Sequence, residues 1–303
     1  MKRRYVTADV FTDTPFQGNP VAIVLDSEGL STAQMQFVAA EFAYSETTFV
    51  LPPRDPSHTA WVRIFTPTRE IPFAGHPNIG TAFVLATRAL RAGKPLPSIL
   101  VFDEAGGIVP VRQLEQDGQV LGGELTAPEP LSLRSAVSIE SVAACLSLNS
   151  NDIHSQVHAP RVASVGLPFL IVELATRDAL RRCVPNPVAY KAILPLDGAV
   201  SIYAYTRDIS ESDVKAGYDL QARMFTGRMT EDPATGSATA AMVALLASVR
   251  AVPKLALTVR QGVDMGRPST LFASYEQTDT AAMVRVGGNC VSVMEGTFWL
   301  PPA

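Results

Sequence analysis

The chain has 303 residues, of which 47% are hydrophobic and 18% charged, with a formal net charge of −4 at pH 7. This composition is typical of a globular protein with large cores, and the length suits about two domains of ordinary size. No long run of one charge sign occurs, which argues against a nucleic-acid or anionic membrane surface. The three scattered cysteines suit a reducing compartment, and no signal peptide opens the chain, so we expect a cytoplasmic protein.

Short strands dominate the predicted elements of the first half. Apolar and β-branched runs predict strands at 6–9, 21–25, 45–51, 61–66, 99–102 and 108–112. Between the second and third strands, Ser31 and Gln34 have the spacing of a capping box, which predicts a helix that ends near Phe42. A second helix, apolar on nearly every face, is predicted after the fourth strand and contains residues 76–86.

The second half repeats the order of the first. The corresponding segments are Gly18-Asn-Pro-Val-Ala-Ile-Val-Leu25 with Gly166-Leu-Pro-Phe-Leu-Ile-Val172, and Arg63-Ile-Phe-Thr66 with Arg223-Met-Phe-Thr226. A glycine opens the apolar helix that follows in each half, Gly75 in the first and Gly236 in the second. Strands at 255–259 and 270–273 come next. Because the period is near half the chain, the pattern indicates duplication of a domain and not a solenoid array.

Many short strands with few long helices predict an α+β fold. We expect two similar domains, residues 1–127 and 128–303, with the last segment free to return to the first domain. Each domain is expected to be a curved mixed β-sheet or barrel around one buried helix. The border falls in the glycine- and proline-rich stretch 122–130, and a further cluster, Pro185-Asn-Pro187, predicts a loop. The most hydrophobic stretch, 234–249, is short for a membrane span and is better explained as a fully buried helix.

The starts of the two apolar helices are candidate anion sites. A helix N-terminus leaves backbone N–H groups without intrahelical partners and carries partial positive charge. Gly75 with His76, and Gly236 with Ser237, stand at these starts, and two such turns facing a shared cleft would hold a carboxylate. The alternative is an ordinary capping turn, with His76 on the surface and Ser237 as a cap. Their recurrence at equivalent points favours a site.

Two carboxylates are candidates for acid–base chemistry. Glu46 precedes a run of β-branched and apolar residues, so it lies either on the wet face of the strand or toward the cleft. In the cleft, apolar surroundings would raise its pKa toward that of a useful general base. Asp232 is by default a turn residue before Pro233, but it lies close enough to Ser237 to reach the same cavity.

Other signals are weak. His154 and His158 have helical zinc spacing but lie in a polar context without further ligands, so no metal site is predicted. No nucleotide-binding glycine loop follows a strand, and Ser237 is not in a nucleophile elbow. We therefore expect no metal and no organic cofactor.

Several motifs together resemble the PhzF-like family, named for phenazine biosynthesis, within the diaminopimelate-epimerase-like superfamily. The resemblance covers essentially the whole chain and rests on Asp9-Val-Phe-Thr with Gly18-Asn-Pro-Val-Ala, Ser45-Glu-Thr-Thr-Phe-Val50, Glu70-Ile-Pro-Phe-Ala-Gly-His-Pro77, Glu231-Asp-Pro-Ala-Thr-Gly-Ser-Ala238 and Gln261-Gly-Val-Asp-Met-Gly-Arg-Pro-Ser269.

The resemblance implies a cofactor-free isomerase with its active site between two similar domains, usually a homodimer, acting on a small carboxylate-bearing molecule. By analogy with trans-2,3-dihydro-3-hydroxyanthranilate isomerase, Glu46 takes and returns the proton. His76 and Asp232 orient the substrate, and Gly75, Gly236 and Ser237 hold its carboxylate.

Two other readings stay open from the sequence. One is a lyase or dehydratase that removes a β-hydroxyl with the same base, and the other is a non-catalytic ligand-binding relative. In the thiol epimerases of the superfamily, cysteines precede the helix starts, whereas here the corresponding positions are assigned to Ala74 and Ala234.

Overall fold

A computed structural model describes residues 1–95, 97–279 and 281–300. The chain forms two compact units. Unit 1 consists of Met1–Leu125 together with the segment from Gly287 onward, and unit 2 consists of Thr126–Val286. Both mix strands with few helices, as the α+β prediction requires. Within the described residues, no helix is long and apolar enough to cross a membrane.

Unit 1 is a barrel around one helix. Its elements are β1 (Lys2–Val10), β2 (Asn19–Val24), α1 (Thr32–Phe42), β3 (Glu46–Leu51), β4 (Ala60–Phe65), β5 (Glu70–Ile71), α2 (Gly75–Arg91), β6 (Ile99–Glu104), β7 (Gly107–Gln116) and β8 (Gln119–Thr126). The capping box predicted at the start of α1 is confirmed, because Ser31 and Gln34 bond each other's backbone.

The strands of unit 1 close on themselves. β2 and β3 are parallel, β3 and β4 antiparallel, β4 and β6 parallel, and β6, β7 and β8 antiparallel in turn. Strand β17 (Ala282–Trp299), whose residues from Gly287 belong to unit 1, pairs with both β8 and β1, and β1 pairs with β2. Eight strands therefore form a closed ring around α2.

Helix α2 fits inside this ring because its inward positions are small or apolar. It packs against β1, β2, β3 and β7, and nearly all of its first ten residues are buried. A side chain at Gly80 would stand 2.6 Å from Val21 and 2.9 Å from Val10, so only glycine allows the helix to approach these strands.

Unit 2 contains the remaining elements. These are β9 (Ser132–Ala136), α3 (Ile139–Cys145), β10 (Arg161–Ser164), β11 (Pro168–Glu173), α4 (Arg177–Arg182), α5 (Pro187–Ile193), β12 (Ile202–Thr206), α6 (Glu211–Lys215), β13 (Leu220–Phe225), β14 (Glu231–Asp232), α7 (Gly236–Val249), β15 (Lys254–Gln261) and β16 (Ser269–Gln277), with a single 3-10 turn at Ser150–Asp152.

The pairing pattern of unit 1 recurs in unit 2. β11 and β12 are parallel, β12 and β13 antiparallel, β13 and β15 parallel, and β15 and β16 antiparallel. Helix α7 packs against β10, β11, β15 and β16 and is buried almost throughout. It contains no charged residue, so burial on all sides removes the most apolar surface from water.

The loop predicted at Pro185-Asn-Pro187 is wrong in part. Pro187 is the first residue of α5, and the Asn186 side chain accepts hydrogen bonds from the N–H groups of Val188 and Ala189. Asparagine at the cap and proline in the first turn start a helix, and the same residues are also common in loops.

Candidate functional site

Glu46 opens strand β3 in unit 1 and is half-buried. It stands opposite the buried Val21 of β2, and 18% of its side chain is exposed. Burial raises the pKa of Glu46, and the Ser45 hydroxyl offsets part of this rise. The carboxylate therefore holds a proton more tightly than an exposed glutamate, which suits a general base that works near neutral pH.

His76 lies beside Glu46. It occupies the first turn of α2 with only 9% of its side chain exposed, and its Nε2 atom lies 3.6 Å from Oε2 of Glu46. Strand β3 and helix α2 thus bring together two groups that are 30 residues apart in sequence. The pair can share a proton or orient one polar group of a ligand.

Gly75 starts α2 without a side-chain cap. The residue before it, Ala74, is extended and offers no polar side chain to the helix. The nearest atom to a side chain placed at Gly75 would be Leu125 Cδ1, at an ordinary contact distance of 3.8 Å, and the backbone is not in the left-handed region. Neither packing nor conformation requires glycine here, which favours a role in letting a ligand approach the backbone.

In unit 2, Asp232 forms the end of the two-residue strand β14. It stands opposite Met224 of β13, and its Oδ2 accepts a hydrogen bond of 2.5 Å from the Thr235 hydroxyl. Gln261 donates to the Asp232 carbonyl at 2.9 Å and accepts from the Thr235 N–H at 3.2 Å. The turn before α7 is therefore fixed by hydrogen bonds on both sides.

Gly236 and Ser237 are the first two residues of α7. The cap residue Thr235 makes no side-chain bond to the helix, because its hydroxyl is directed to Asp232 instead. Ser237 is half-buried, whereas Gly236 is buried. Ser237 is not the cap residue itself, so the ordinary capping alternative does not account for it.

Strand register gives the correspondence between the two units. Arg63 of β4 makes a two-point ion pair with Glu70, and Arg223 of β13 makes the same pair with Glu231. Phe65 lies opposite Glu70 in unit 1, and Phe225 opposite Glu231 in unit 2. The sequence shows both arginines and both glutamates, but it gives no sign that they form pairs.

The same register shows which candidate carboxylates have no counterpart. Ile71 corresponds to Asp232, since each follows the paired glutamate. Ser201 corresponds to Glu46, since Thr47 and Ile202 lie opposite equivalent phenylalanines. Each unit thus contributes one carboxylate that the other lacks.

Two buried residues at the matching ends of β6 and β15, Glu104 and Gln261, were assigned no role from the sequence. Trp61 lies beside Asp103 on β6, and Gln221, its equivalent on β13, lies beside Arg260 on β15. Glu104 follows Asp103 on β6, and Gln261 follows Arg260 on β15, so Glu104 and Gln261 occupy equivalent positions. The available signal is a glutamate at the end of an apolar strand, two residues before Gly106.

Thiols and metal ligands do not form a second centre in the described residues. All three cysteines are buried and free, and burial raises the pKa of Cys145 to about 11 and that of Cys183 to about 12. No group of three or more His, Cys, Asp and Glu side chains in the described ranges is arranged to hold a metal ion. His158 instead bonds the Tyr205 hydroxyl at 2.8 Å in the interior of unit 2.

Known proteins are similar to this chain over nearly its whole length. A family model described as phenazine biosynthesis-like protein matches residues 8–296. An uncharacterised isomerase of Mesorhizobium japonicum is 35% identical, with 98% of this chain and 99% of that protein covered. The trans-2,3-dihydro-3-hydroxyanthranilate isomerase of Pseudomonas aeruginosa is 34% identical with the same coverage.

Solved structures agree on the fold. A phenazine biosynthesis protein of the PhzF family from Bacillus anthracis superposes with a TM-score of 0.87 at 24% identity and covers 99% of this chain and 100% of its own. A predicted epimerase from Pseudomonas aeruginosa has a TM-score of 0.79 at 28% identity over 99% of this chain and 100% of its own.

Proposed function

Because the chain belongs to the family of phenazine biosynthesis-like proteins and is an isomerase, we propose that it moves a proton within a small carboxylate-bearing substrate without a cofactor. The substrate class is that of the relatives named trans-2,3-dihydro-3-hydroxyanthranilate isomerase. The observation that carries the proposal is the half-buried Glu46 carboxylate, 3.6 Å from His76 at an uncapped helix start.

In this proposal Glu46 is the proton carrier. Its carboxylate removes a proton from one carbon of the substrate, and the freed electron pair moves along the adjoining double bonds. The carboxylic acid so formed returns the proton to a second carbon, so the substrate keeps its mass and the enzyme returns to its starting state. A raised pKa favours both halves of this cycle, because the carboxyl group binds the proton more tightly than an ordinary glutamate and can still return it.

The other candidate residues bind and orient the substrate. His76 contacts the polar group nearest the transferred proton, and Asp232 holds a second polar group. Gly75, Gly236 and Ser237 bind the carboxylate through N–H groups at helix starts, where partial positive charge favours an anion. The proposal also includes a homodimer, which light scattering tests, and a cytoplasmic location, which cell fractionation tests.

Glu46→Gln tests the central step. The variant keeps the shape of the side chain and removes the base, so turnover of trans-2,3-dihydro-3-hydroxyanthranilate should fall about a hundredfold to ten-thousandfold. Glu41→Gln, an exposed position on α1, is the matched control and should behave as the parent. Activity of the Glu46 variant within a few-fold of the parent would exclude Glu46 as the proton carrier.

Mass spectrometry of the product separates isomerisation from elimination. An isomerase leaves the substrate mass unchanged, whereas a dehydratase that uses the same base releases water. If the parent protein does not turn over this substrate, a panel of cyclic amino- and hydroxy-carboxylates is screened with the same two variants.

A further inference from the structure

Glu104 is a buried carboxyl group that the proposed mechanism does not use. It ends strand β6 in unit 1, and only 5% of the residue is exposed. No hydrogen bond of normal geometry from the described residues reaches either of its carboxyl oxygens. A carboxylate in this position would lack the donors that buried charge requires.

Asn78 has a buried acceptor atom that lacks a hydrogen-bond donor among the described residues. It is fully buried in the first turns of α2, and its Nδ2 donates to the Ala74 carbonyl at 3.0 Å. Its Oδ1 atom is buried and receives no hydrogen bond from the described residues. The Asn78 side chain lies next to the Glu104 carboxyl group and partly offsets the rise that burial causes in the pKa of Glu104. One proton on Glu104 would supply the donor that Asn78 Oδ1 needs.

In unit 2, the residue equivalent to Glu104 has its hydrogen bonds complete. Gln261, at the matching end of β15, bonds the Asp232 carbonyl, the Thr235 N–H and the Thr235 hydroxyl. Thr239 corresponds to Asn78, since each is the fourth residue of its helix, and its hydroxyl also donates to the carbonyl of the cap residue at 3.0 Å.

A protonated glutamic acid can replace glutamine in such a network. The amide of glutamine offers N–H donors and a carbonyl acceptor, and the neutral acid offers one O–H donor and a carbonyl acceptor. The ionised form offers acceptors only. We propose that Glu104 is a positioning residue for this site: in its protonated form it donates to Asn78 Oδ1 and so holds the turn that carries Gly75 and His76, as Gln261 holds the turn before α7.

The electrostatic surroundings support this assignment. Burial raises the pKa of Glu104 to about 8, and Asn78 offsets only part of the rise. Several titratable groups on the neighbouring elements pair with one another. These pairs are Asp103 with His58 at 2.8 Å, Arg63 with Glu70 at 2.7 Å, and Glu46 with His76 at 3.6 Å. Among the described residues, no charged group contributes to the pKa of Glu104, whose causes are burial and Asn78 alone.

The proposal rests on the proposed function only in calling this turn part of the site. Its test needs no substrate, so failure of the test and failure of the proposed function are distinguishable. The Gly75 backbone amide and the Asn78 side-chain amide are followed by NMR from about pH 6 to about pH 10. In the parent, both signals should shift in one transition near pH 8 as Glu104 ionises. In Glu104→Gln, which keeps donor and acceptor, the transition should disappear and the signals should stay near their positions in the parent at low pH.

Glu115→Gln, an exposed position on β7, is the matched control and should retain the transition. A transition that persists in Glu104→Gln, or its absence in the parent, would overturn the proposal.

Kinetics give a second, independent readout once a substrate is in hand. Glu104→Gln should keep the kcat/KM of the parent at neutral pH and lose its decline above about pH 8. Glu104→Leu, which fills the space without a donor, should lower kcat/KM about tenfold below about pH 8, the loss expected for one hydrogen bond, and the difference from the parent should shrink above that pH. Equal impairment of the Gln and Leu variants would show that the donor has no positioning role.

Discussion

In unit 1, the turn before α2 places His76 3.6 Å from the carboxylate of Glu46, which arrives from strand β3. In unit 2, the turn before α7 contains its own carboxylate, Asp232, which accepts a hydrogen bond from Thr235. The strand pairings are equivalent, but the polar groups are divided differently. The repeated framework supplies two helix starts without side-chain caps, and single residue differences on that framework give Glu46 to unit 1 and Asp232 to unit 2.

The largest expected effect comes from the carboxylates that the two units do not share. Glu46→Gln should abolish proton transfer, whereas Asp232→Asn should mainly weaken substrate orientation, with a loss of about tenfold to a hundredfold. Turnover in heavy water distinguishes one base from two. A single Glu46 that takes and returns the proton in a site shielded from water should give incomplete deuterium incorporation at early times.

Full labelling from the first turnover, together with complete loss of activity in Asp232→Asn, would assign a second proton-transfer step to unit 2. Glu211→Gln, at an exposed carboxylate on α6, is the control for a general effect of charge removal in unit 2.

The two arginine–glutamate pairs should differ in their contribution to stability. Arg223 is 12% exposed, pairs with Glu231, and also donates to three backbone carbonyls between residues 180 and 183. Its replacement by Ala leaves these groups buried and unpaired, so the free energy of unfolding should fall by about 3–5 kcal/mol. Arg63→Ala should cost closer to about 1 kcal/mol, because Glu70 is 33% exposed and retains water. Chemical denaturation measures both, and equal losses would contradict the comparison.

Exchanging the residues at the ends of β6 and β15 sharpens the comparison further. Gln261→Glu places a carboxyl group in a fully buried position beside Asp232. Its folded-state pKa should lie above that of the unfolded chain, so the folded state binds the extra proton and loses stability as pH rises. The variant should lose about 1.4 kcal/mol per pH unit relative to the parent, between the two pKa values. A difference that does not change with pH would show that the introduced group stays solvated.

The reverse exchange, Glu104→Gln, should change the pH dependence of stability in the opposite direction. The pKa of Glu104 is raised to about 8, so its contribution is favourable at low pH and is lost as pH rises toward that value. The glutamine variant should therefore gain thermal stability over the parent from about pH 5 to pH 8 and keep a constant advantage above it. Thermal unfolding across this range measures the difference.

The smallest effect on stability is expected at Gly75. A methyl group fits there at ordinary contact distance, so Gly75→Ala should leave the free energy of unfolding within about 1 kcal/mol of the parent. Gly80→Ala, five residues along the same helix, should cost about 1–3 kcal/mol because the methyl group meets Val21 at 2.6 Å. Binding of anthranilate, used as a carboxylate probe, should weaken in the Gly75 variant at unchanged stability. Unchanged binding would remove Gly75 from the site.

Much of the framework was accessible from the sequence because its signals are local. Periodicity and capping residues predicted α1, the strands around it and the two apolar helices, and the paired segments at Arg63 and Arg223 aligned the halves. The apolar context of Glu46 predicted the direction of its pKa shift. Strand β17, 18 residues long, was not predicted, because its glycines and polar residues interrupt the alternation that identifies a strand.

Local sequence specifies the two helix starts and their order, since a helix start depends on neighbours within one turn. Contacts between side chains that are distant in sequence depend on tertiary packing. The 3.6 Å approach of Glu46 to His76 follows from the packing of α2 against β3, and the equivalence of Glu104 with Gln261 follows from strand register. Register is set by pairing between segments tens of residues apart, and a shift of one residue would turn each of these side chains to the other face.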